Sequence, residues 1–488
     1  MSEFSILQLN WRFKQGGVSA ACWSLEIAIT NQRLECISKI KNMTQHIAVS
    51  GVIYWFRNDL RLHDNPALQQ AITLAKQRST WLLPVYVHDT ALKLTSPWGF
   101  VRTSEHRLAW TAMALHDVSE QLVALGSQLW HITGEPSEVL TELMARIGAS
   151  TLVCEDIAAP YEEAHIQSLQ QRGLDVQTVW QSTLMAPDQL PFEPHDVPDE
   201  FSSFRRAVER QTFSPASPLP TVTEMPALPD QTSLDVVREM QHAIEHTSAA
   251  RAILNDQRSA FPWSQPEFHG GERAALAHLA QYCSRNLPHT YKATRNGLVG
   301  ADYSTKWSPW LATGALSARQ AWAAVRSFEA QHGATDSTYW IGFELLWRDH
   351  FRWLHLKYGE RMYWQRGLSD APMPTRTHNA RGFEQWRTGR TGHAFIDAGM
   401  RELNATGYSS NRMRQNLASF LIHDLRCDWR AGAAWFESQL IDFDVYNNQG
   451  NWLYLSGRGT DPRGSRRFNP DKQAHDYDAD CAYRKLWQ

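Results

Sequence analysis

Between residues 51 and 180 short apolar runs alternate with segments of helical period. The runs are Gly51–Phe56 (GVIYWF), Trp81–Val87 (WLLPVYV), Gln128–Ile132 (QLWHI), Thr151–Cys154 (TLVC) and Val176–Trp180 (VQTVW). Segments with apolar residues three and four apart separate them: Pro66–Lys76, Glu105–Leu125, Pro136–Ile147 and Glu162–Arg172. Asn65 followed by Pro66 is a helix start, a capping amide and then a proline at the first helical position. This alternation predicts an α/β domain, a parallel sheet flanked by helices. No GxGxxG follows the first run, so the usual dinucleotide fingerprint is absent.

The pattern changes at residue 183. Prolines crowd the next stretch (Pro187, Pro191, Pro194, Pro198, Pro215, Pro218, among others), which prevents long regular elements. A surface connector over 183–265 is expected, carrying a short helix near Phe201–Gln211. From Gly270 onward nearly every segment has helical period: Glu272–Cys283, Ala318–Gln331, Ser337–Lys357, Gly399–Leu403, Asn411–Asp428 and Ala431–Ile441. An all-α domain over 266–488 follows, with room for a cavity in its middle. Residues 1–50 precede the first convincing element and read as an N-terminal extension, with Met43 as an alternative start.

Composition narrows the function. A chain of 488 residues exceeds one ordinary core. No apolar run is long enough to cross a bilayer, and Glu26, Arg33 and Glu35 break any signal-peptide order in the first fifty residues. A cytoplasmic protein is expected. Six scattered cysteines without CxxC spacing give no support for a zinc or iron–sulfur site. The formal charge of -3 requires any nucleic-acid surface to be a local basic patch. Twenty-one tryptophans imply a large helical core, a stacking ligand, or both.

Candidate chemistry gathers in the helical half. The stretch Leu440–Trp452 (LIDFDVYNNQGNW) holds Asp442, Asp444, Asn447, Asn448 and Trp452, with Trp429 upstream. Carboxylates and amides so spaced can bracket a flat hydrogen-bonding heterocycle, which nearby indoles can supply with electrons; a polar loop capped by a core tryptophan reads equally well. On a helix over Tyr339–Trp353, Trp340, Glu344, Trp347, Arg348 and Phe351 share a face. Glu344 and Arg348 inside that aromatic stripe favour a cavity wall over plain core, because buried charges need partners. Asn411, Arg414 and Gln415 share a second helix face, where a carboxylate opposite Arg414 would fix its guanidinium. In DYSTKWSPWLATG (Asp302–Gly314), Ser304, Thr305, Lys306 and Ser308 offer donors just before a helix. That chemistry suits a diphosphate; alone it reads more simply as a Ser/Thr cap.

Five motifs in order resemble the photolyase/cryptochrome family across residues 51–488. They are WFRNDLRLHDNPAL (Trp55–Leu68), STKWSPWLATGALSARQ (Ser304–Gln320), ELLWRDHF (Glu344–Phe351), NRMRQNLASFL and LIDFDVYNNQGNW. TYWIGFELLWRDHF and the end of the chain, DPRGSRRFNPDKQ and YDADCAYRKLW, resemble the cryptochrome-DASH branch in particular.

The resemblance implies FAD in the helical domain. Ser304, Thr305, Lys306, Trp307 and Ser308 match the diphosphate loop, with Tyr291 as a neighbour. Arg348, Asn411 and Arg414 match flavin-facing positions, Asp442 and Asp444 the acids that meet the cofactor, and Asn448 the residue opposite flavin N5. Trp452 and Trp429 match the first two tryptophans of an electron relay. The third falls at Thr375-Arg376-Thr377, where no tryptophan stands, leaving Trp386 and Trp364 as candidate exits. Glu344 and Trp347 match positions that meet a pyrimidine dimer. Gln415 replaces the Met, and Tyr454 the Trp, typical of photolyases acting on duplex DNA. Base–aromatic stacking is worth ~1–3 kcal/mol per base, and flipping a base costs least in single strands, so these changes weaken duplex activity first. Arg401, Arg412, Arg463, Arg466, Arg467 and Lys472 would form a basic rim. Branch members with an antenna folate, 5,10-methenyltetrahydrofolate, tend to carry Glu on the helix reading RLAWTAMALHDV; Met113 stands there, which leaves that folate an open alternative.

Three functions fit these residues. One is a light-driven lyase, working as a monomer, that repairs cyclobutane pyrimidine dimers in single-stranded DNA. Another is a blue-light receptor signalling to a partner that the sequence does not identify. The third, a redox flavoprotein working in the dark, is disfavoured by the missing nicotinamide fingerprint. Glu344 and Trp347, with the chain ending soon after its last motif, favour repair.

Overall fold

Every residue of the run GVIYWF is buried, as befits the middle strand of a parallel sheet covered on both faces. The computed structural model describes residues 51–210, 214–241, 256–370 and 378–488. Residues 1–50 with Met43, and the positions 375–377, lie outside these. The chain runs β1 (Gly51–Phe56), α1 (Pro66–Gln77), β2 (Leu82–Asp89), α2 (Glu105–Ala124), β3 (Trp130–Gly134), α3 (Pro136–Ile147), β4 (Ala149–Glu155), α4 (Pro160–Gln171) and β5 (Asp175–Val179). The strands pair in parallel in the order β3-β2-β1-β4-β5. Val52, Tyr54 and Phe56 face one core, with residues of α1 and α2; Ile53 and Trp55 face the other, with residues of α3.

Local chemistry sets the boundaries. Asn65 accepts from the Leu68 N–H and Pro66 opens α1, as its sequence indicated. Glu135 caps α3, and Gly148 ends it with a φ of 68° that only glycine adopts freely. The connector holds α5 (Phe201–Arg210), as expected, and also α6 (Gln231–Met240), which was not. Asp230 caps α6, and Val237 and Met240 anchor it on the sheet's second core.

The rest is helical: α7 (Glu272–Ser284), a turn at Tyr291–Thr294, α8 (Ser308–Thr313), α9 (Ala318–His332), α10 (Asp336–Tyr358), α11 (Ala380–Arg387), α12 (Ala394–Thr406), α13 (Asn411–Ser419), α14 (Trp429–Gln439), α15 (Val445–Ser456), α16 (Pro470–Tyr477) and α17 (Ala482–Leu486). Two expectations need correction here. Asn411–Asp428 is not one helix: α13 stops at Ser419, a π-turn spans Phe420–Asp424, and Asp428 caps α14. Leu440–Trp452 is a loop only as far as Asp444; beyond it the chain is helical. Trp110, Trp310, Trp353, Trp386, Trp452 and Trp487 are fully buried, so much of the tryptophan excess is core.

Candidate functional site

Asp442 ties three elements together. Its Oδ2 accepts from Arg414 Nη2 on α13 at 2.8 Å and from Ser308 Oγ at the start of α8 at 2.7 Å. The carboxylate foreseen opposite Arg414 is therefore Asp442. The other oxygen, Oδ1, is buried and has no hydrogen-bond partner among the described residues.

Further buried polar atoms lack a hydrogen-bond partner among the described residues: Lys306 Nζ, Trp307 Nε1, Ser409 Oγ and Arg348 Nε. Lys306 takes a φ of 59°, rare for a side-chain-bearing residue. Its ammonium lies 3.2 Å from the Tyr303 ring centroid and 5.3 Å from that of Tyr408. Burial holds its pKa well below the ordinary value, and the attraction of Glu402 does not restore it. Such a lysine is completed by an anion. Ser304 and Thr305 are half-buried beside it, Ser308 and Asn411 are exposed, and Tyr291 is buried.

Asp444 has two partners within the chain. It forms an ion pair with Arg352 and caps α15 through the Asn447 N–H at 2.8 Å. Burial would raise its pKa, but Arg352 and Arg348 more than offset this and hold it below the usual range. Each carboxylate oxygen thus has a structural partner and keeps further acceptor capacity. Arg348 donates to the backbone oxygens of Ser182 and Leu311, which fixes it between the end of the α/β half and α8. Burial, with Arg352 nearby, pulls Arg348 down to about 10.

Asn448 uses one amide N–H on the Ala433 carbonyl at 3.0 Å, leaving the second N–H and the oxygen. Trp452 packs on α14 where Gly432 leaves room; a Cβ there would stand 2.2 Å from the indole. Its ring meets Phe436 at 5.2 Å and Trp386 at 6.4 Å. Trp429, at the start of α14, donates to the Gln365 carbonyl at 3.0 Å, beside the exposed Trp364.

Glu344 and Trp347 lie one turn apart on α10. Glu344 is ion-paired with Arg295, four residues after Tyr291; burial raises its pKa against the pull of Arg295. One face of Trp347 is covered by Phe201 of α5, with ring centroids 3.8 Å apart and planes at 12°. Tyr454 meets Trp347 edge-on at 5.9 Å, and the Arg466 guanidinium lies 5.1 Å from the Tyr454 ring. Gln415 is half-buried on α13. The basic rim is already paired: Arg463 and Arg466 with Asp461, Arg467 with Asp424, Lys472 with Asp476. Arg401 donates to the Trp487 and Gly389 carbonyls, and Arg412 to Asn296.

The sequence reading missed Arg295, Arg352 and Phe201. Arg295 at four residues from Tyr291 and Arg352 at four from Arg348 carried a helical-spacing signal. Phe201 carried none, because only tertiary packing brings it to Trp347.

Known proteins are similar to this chain over most of its length. A family model described as "FAD binding domain of DNA photolyase" matches residues 340–488, and one described as "DNA photolyase" matches residues 52–226. Cryptochrome DASH of Xenopus laevis is 41% identical over 452 residues, covering 89% of this chain and 82% of that protein. Cryptochrome DASH of Gloeobacter violaceus is 40% identical over 447 residues, covering 90% and 86%. The chain belongs to the cryptochrome DASH branch of the photolyase/cryptochrome family. The crystal structure of a cryptochrome from Synechocystis superposes with a TM-score of 0.78 at 37% identity, covering 90% of this chain and 88% of that one.

FAD is therefore the cofactor of the helical half, and the residues present fit it. Unpartnered Lys306 Nζ suits a diphosphate, while Trp307 Nε1 and Ser409 Oγ are further buried donors. Asp442 Oδ1 is a buried acceptor without a partner among the described residues. Met113, the position that bears on an antenna folate, packs in the core facing Gly270, where an added Cβ would stand 2.8 Å from the Cβ of Met113.

Proposed function

We propose that the protein is a light-driven lyase that repairs cyclobutane pyrimidine dimers in single-stranded DNA. FAD, when bound, supplies light absorption and the electron that opens the cyclobutane ring and is then recovered. Lys306, Arg414 and Asp442 hold that cofactor, and Asn448 presents its remaining amide groups to it. Glu344, with Arg295 beside it, offers charge-assisted hydrogen bonds to the pyrimidine carbonyl and imide groups. Trp347 supplies a stacking face that Phe201 keeps in place.

The observation that carries the reading is this Trp347–Glu344 pair on one helix, with Tyr454 closing it edge-on. The strand preference has its own support. Arg467 and Lys472 are each paired with an acid, and Arg463 and Arg466 share Asp461, which weakens the rim field available to a duplex backbone. Tyr454 stacks less than an indole, which lowers the gain available to offset unpairing. Cys154, Cys283, Cys427 and Cys481 are free thiols, consistent with the reducing cytoplasm.

Illuminating the FAD-loaded protein with a dimer-containing oligonucleotide tests this directly. Dimer loss is expected in single strands, and slower or no loss in a duplex. No loss in either form would sink the reading. Photoreduction that persists in that case would favour the blue-light receptor instead, for which the Trp452–Trp386 contact already offers a route for electrons.

A further inference from the structure

A cavity of about 500 Å³ opens behind the Trp347 wall. Its aromatic lining is Phe201, Phe343, Trp347, Phe351 and Tyr454. Glu344, Asn411 and Gln415 are not among its lining residues. The volume lies within the ~300–1,000 Å³ usual for small-molecule sites and exceeds one stacked ring.

Its polar groups define the occupant. His350 lines the cavity and is almost wholly buried. Burial pulls it down to about 4, so it is neutral at physiological pH. Its Nε2 lies 2.9 Å from the Pro198 carbonyl, which only accepts, so Nε2 carries the proton. Nδ1 is then a buried acceptor, and it has no partner. Asp199, Glu200 and Asp461 line the cavity with Arg205 and Arg463, and both arginines are already paired, with Glu209 and Asp461, so the lining offers a phosphate no unpaired cation. Arg463 is exposed and shares Asp461 with Arg466, so the group keeps one net positive charge for a backbone phosphate outside at the mouth. A flat, neutral ring bearing N–H donors, attached to an anionic chain, meets every one of these conditions.

We infer that this cavity takes an undamaged nucleobase flanking the dimer, turned out of the same single strand. The inference rests on the reading of Trp347 and Tyr454 as the wall that meets the dimer, since both residues also line the cavity and so place the two sites side by side. It supplies a further reason for single-strand preference: in a duplex a second base pair would have to open.

Binding of dimer-containing oligonucleotides to the FAD-loaded protein in the dark tests it. Three ligands are compared: the isolated dimer dinucleotide, a single-stranded pentamer with the dimer at its centre, and the same pentamer with an abasic flank on either side. Loss of the base on one side should weaken binding at least about fivefold, as stacking on aromatic walls implies. Ser202 is an exposed lining residue, so Ser202→Trp fills the mouth without disturbing the core. The variant should erase the difference between intact and abasic flanks, with affinity for the dinucleotide and the FAD absorption spectrum unchanged. Equal affinity for intact and abasic flanks, or a difference that survives Ser202→Trp, overturns the inference while the dimer reading stands. A dinucleotide that does not bind at all overturns both.

Discussion

Asp442 shows at the level of single residues how the site is built. One oxygen carries two hydrogen bonds that lock α8 to α13, and the other is left for a ligand. Asp442→Asn keeps the shape but removes the charge opposite a buried guanidinium, a change expected to cost about 3 kcal/mol. The unfolding midpoint in urea should fall, and the FAD-to-protein absorbance ratio after gel filtration should drop; an unchanged ratio would remove Asp442 from the cofactor site. His355 makes a different test. It is buried, its Nδ1 lies 2.7 Å from the Phe351 carbonyl, and burial pulls it from 6.5 to about 4. Because the folded state holds it neutral, its contribution is present above pH 6.5 and is lost as pH falls toward 4. Between about pH 7.5 and about pH 5 this one group should remove about 2 kcal/mol. The urea midpoint of His355→Gln should accordingly fall less over that interval than the wild type's, an equal fall being the contrary result.

Elements were legible where periodicity and caps agreed, and illegible where tertiary packing decided. GVIYWF and Pro136–Ile147 were located to the residue, since a continuous apolar run or a proline-started, glycine-ended helix leaves little choice. Helix α15 went unseen because VYNNQGNW has no apolar period. It holds because Asp444 caps it and because its amides bond out of or back along it: Asn448 to Ala433, Gln449 to Met362, Asn451 to Asn447. The Arg414–carboxylate contact, by contrast, followed from charge pairing alone. The sequence does not show that Arg352 reaches Asp444 from α10. The α14–α15 contact itself depends on Gly432, whose added Cβ would stand 2.2 Å from the Trp452 indole and 2.5 Å from Leu421. Gly432→Ala should therefore destabilise by about 1–3 kcal/mol through overpacking. Displacement of Trp452 should appear as a changed indole signal in near-UV circular dichroism; an unaltered spectrum would mean that the helices part without moving the ring.

At the scale of the whole molecule, the motif WFRNDLRLHDNPAL is a hub. Leu60 and Arg61 bond to the backbone oxygens of Thr313 and Gly314, and the N–H groups of Leu62 and His63 both donate to the Glu272 carboxylate. Asp64, fully buried, accepts from Arg319 at 2.6 Å, from Ser317 Oγ at 2.5 Å and from the Leu219 N–H at 2.9 Å. One carboxylate thus joins the α/β half, the connector and α9. It stands in the left-handed region at a φ of 57°, which Asp and Asn tolerate better than other side chains. Asp64→Ala loses both the charge and that tolerance and leaves Arg319, largely buried, unpaired, at an expected cost of about 3–5 kcal/mol. Asp64→Asn keeps the backbone preference and should cost less. The larger consequence is for cooperativity: with the hub cut, sheet and helical halves should unfold at separate denaturant concentrations. Far-UV circular dichroism, weighted to the helices, and the fluorescence of tryptophans in both halves should then give non-coincident transitions for Asp64→Ala, where the wild type gives one. Coincident transitions in the variant would show that the halves are held by apolar contact alone, and that this most recognisable stretch of the sequence serves chain entry into α1 rather than the joining of the two halves that shape the site.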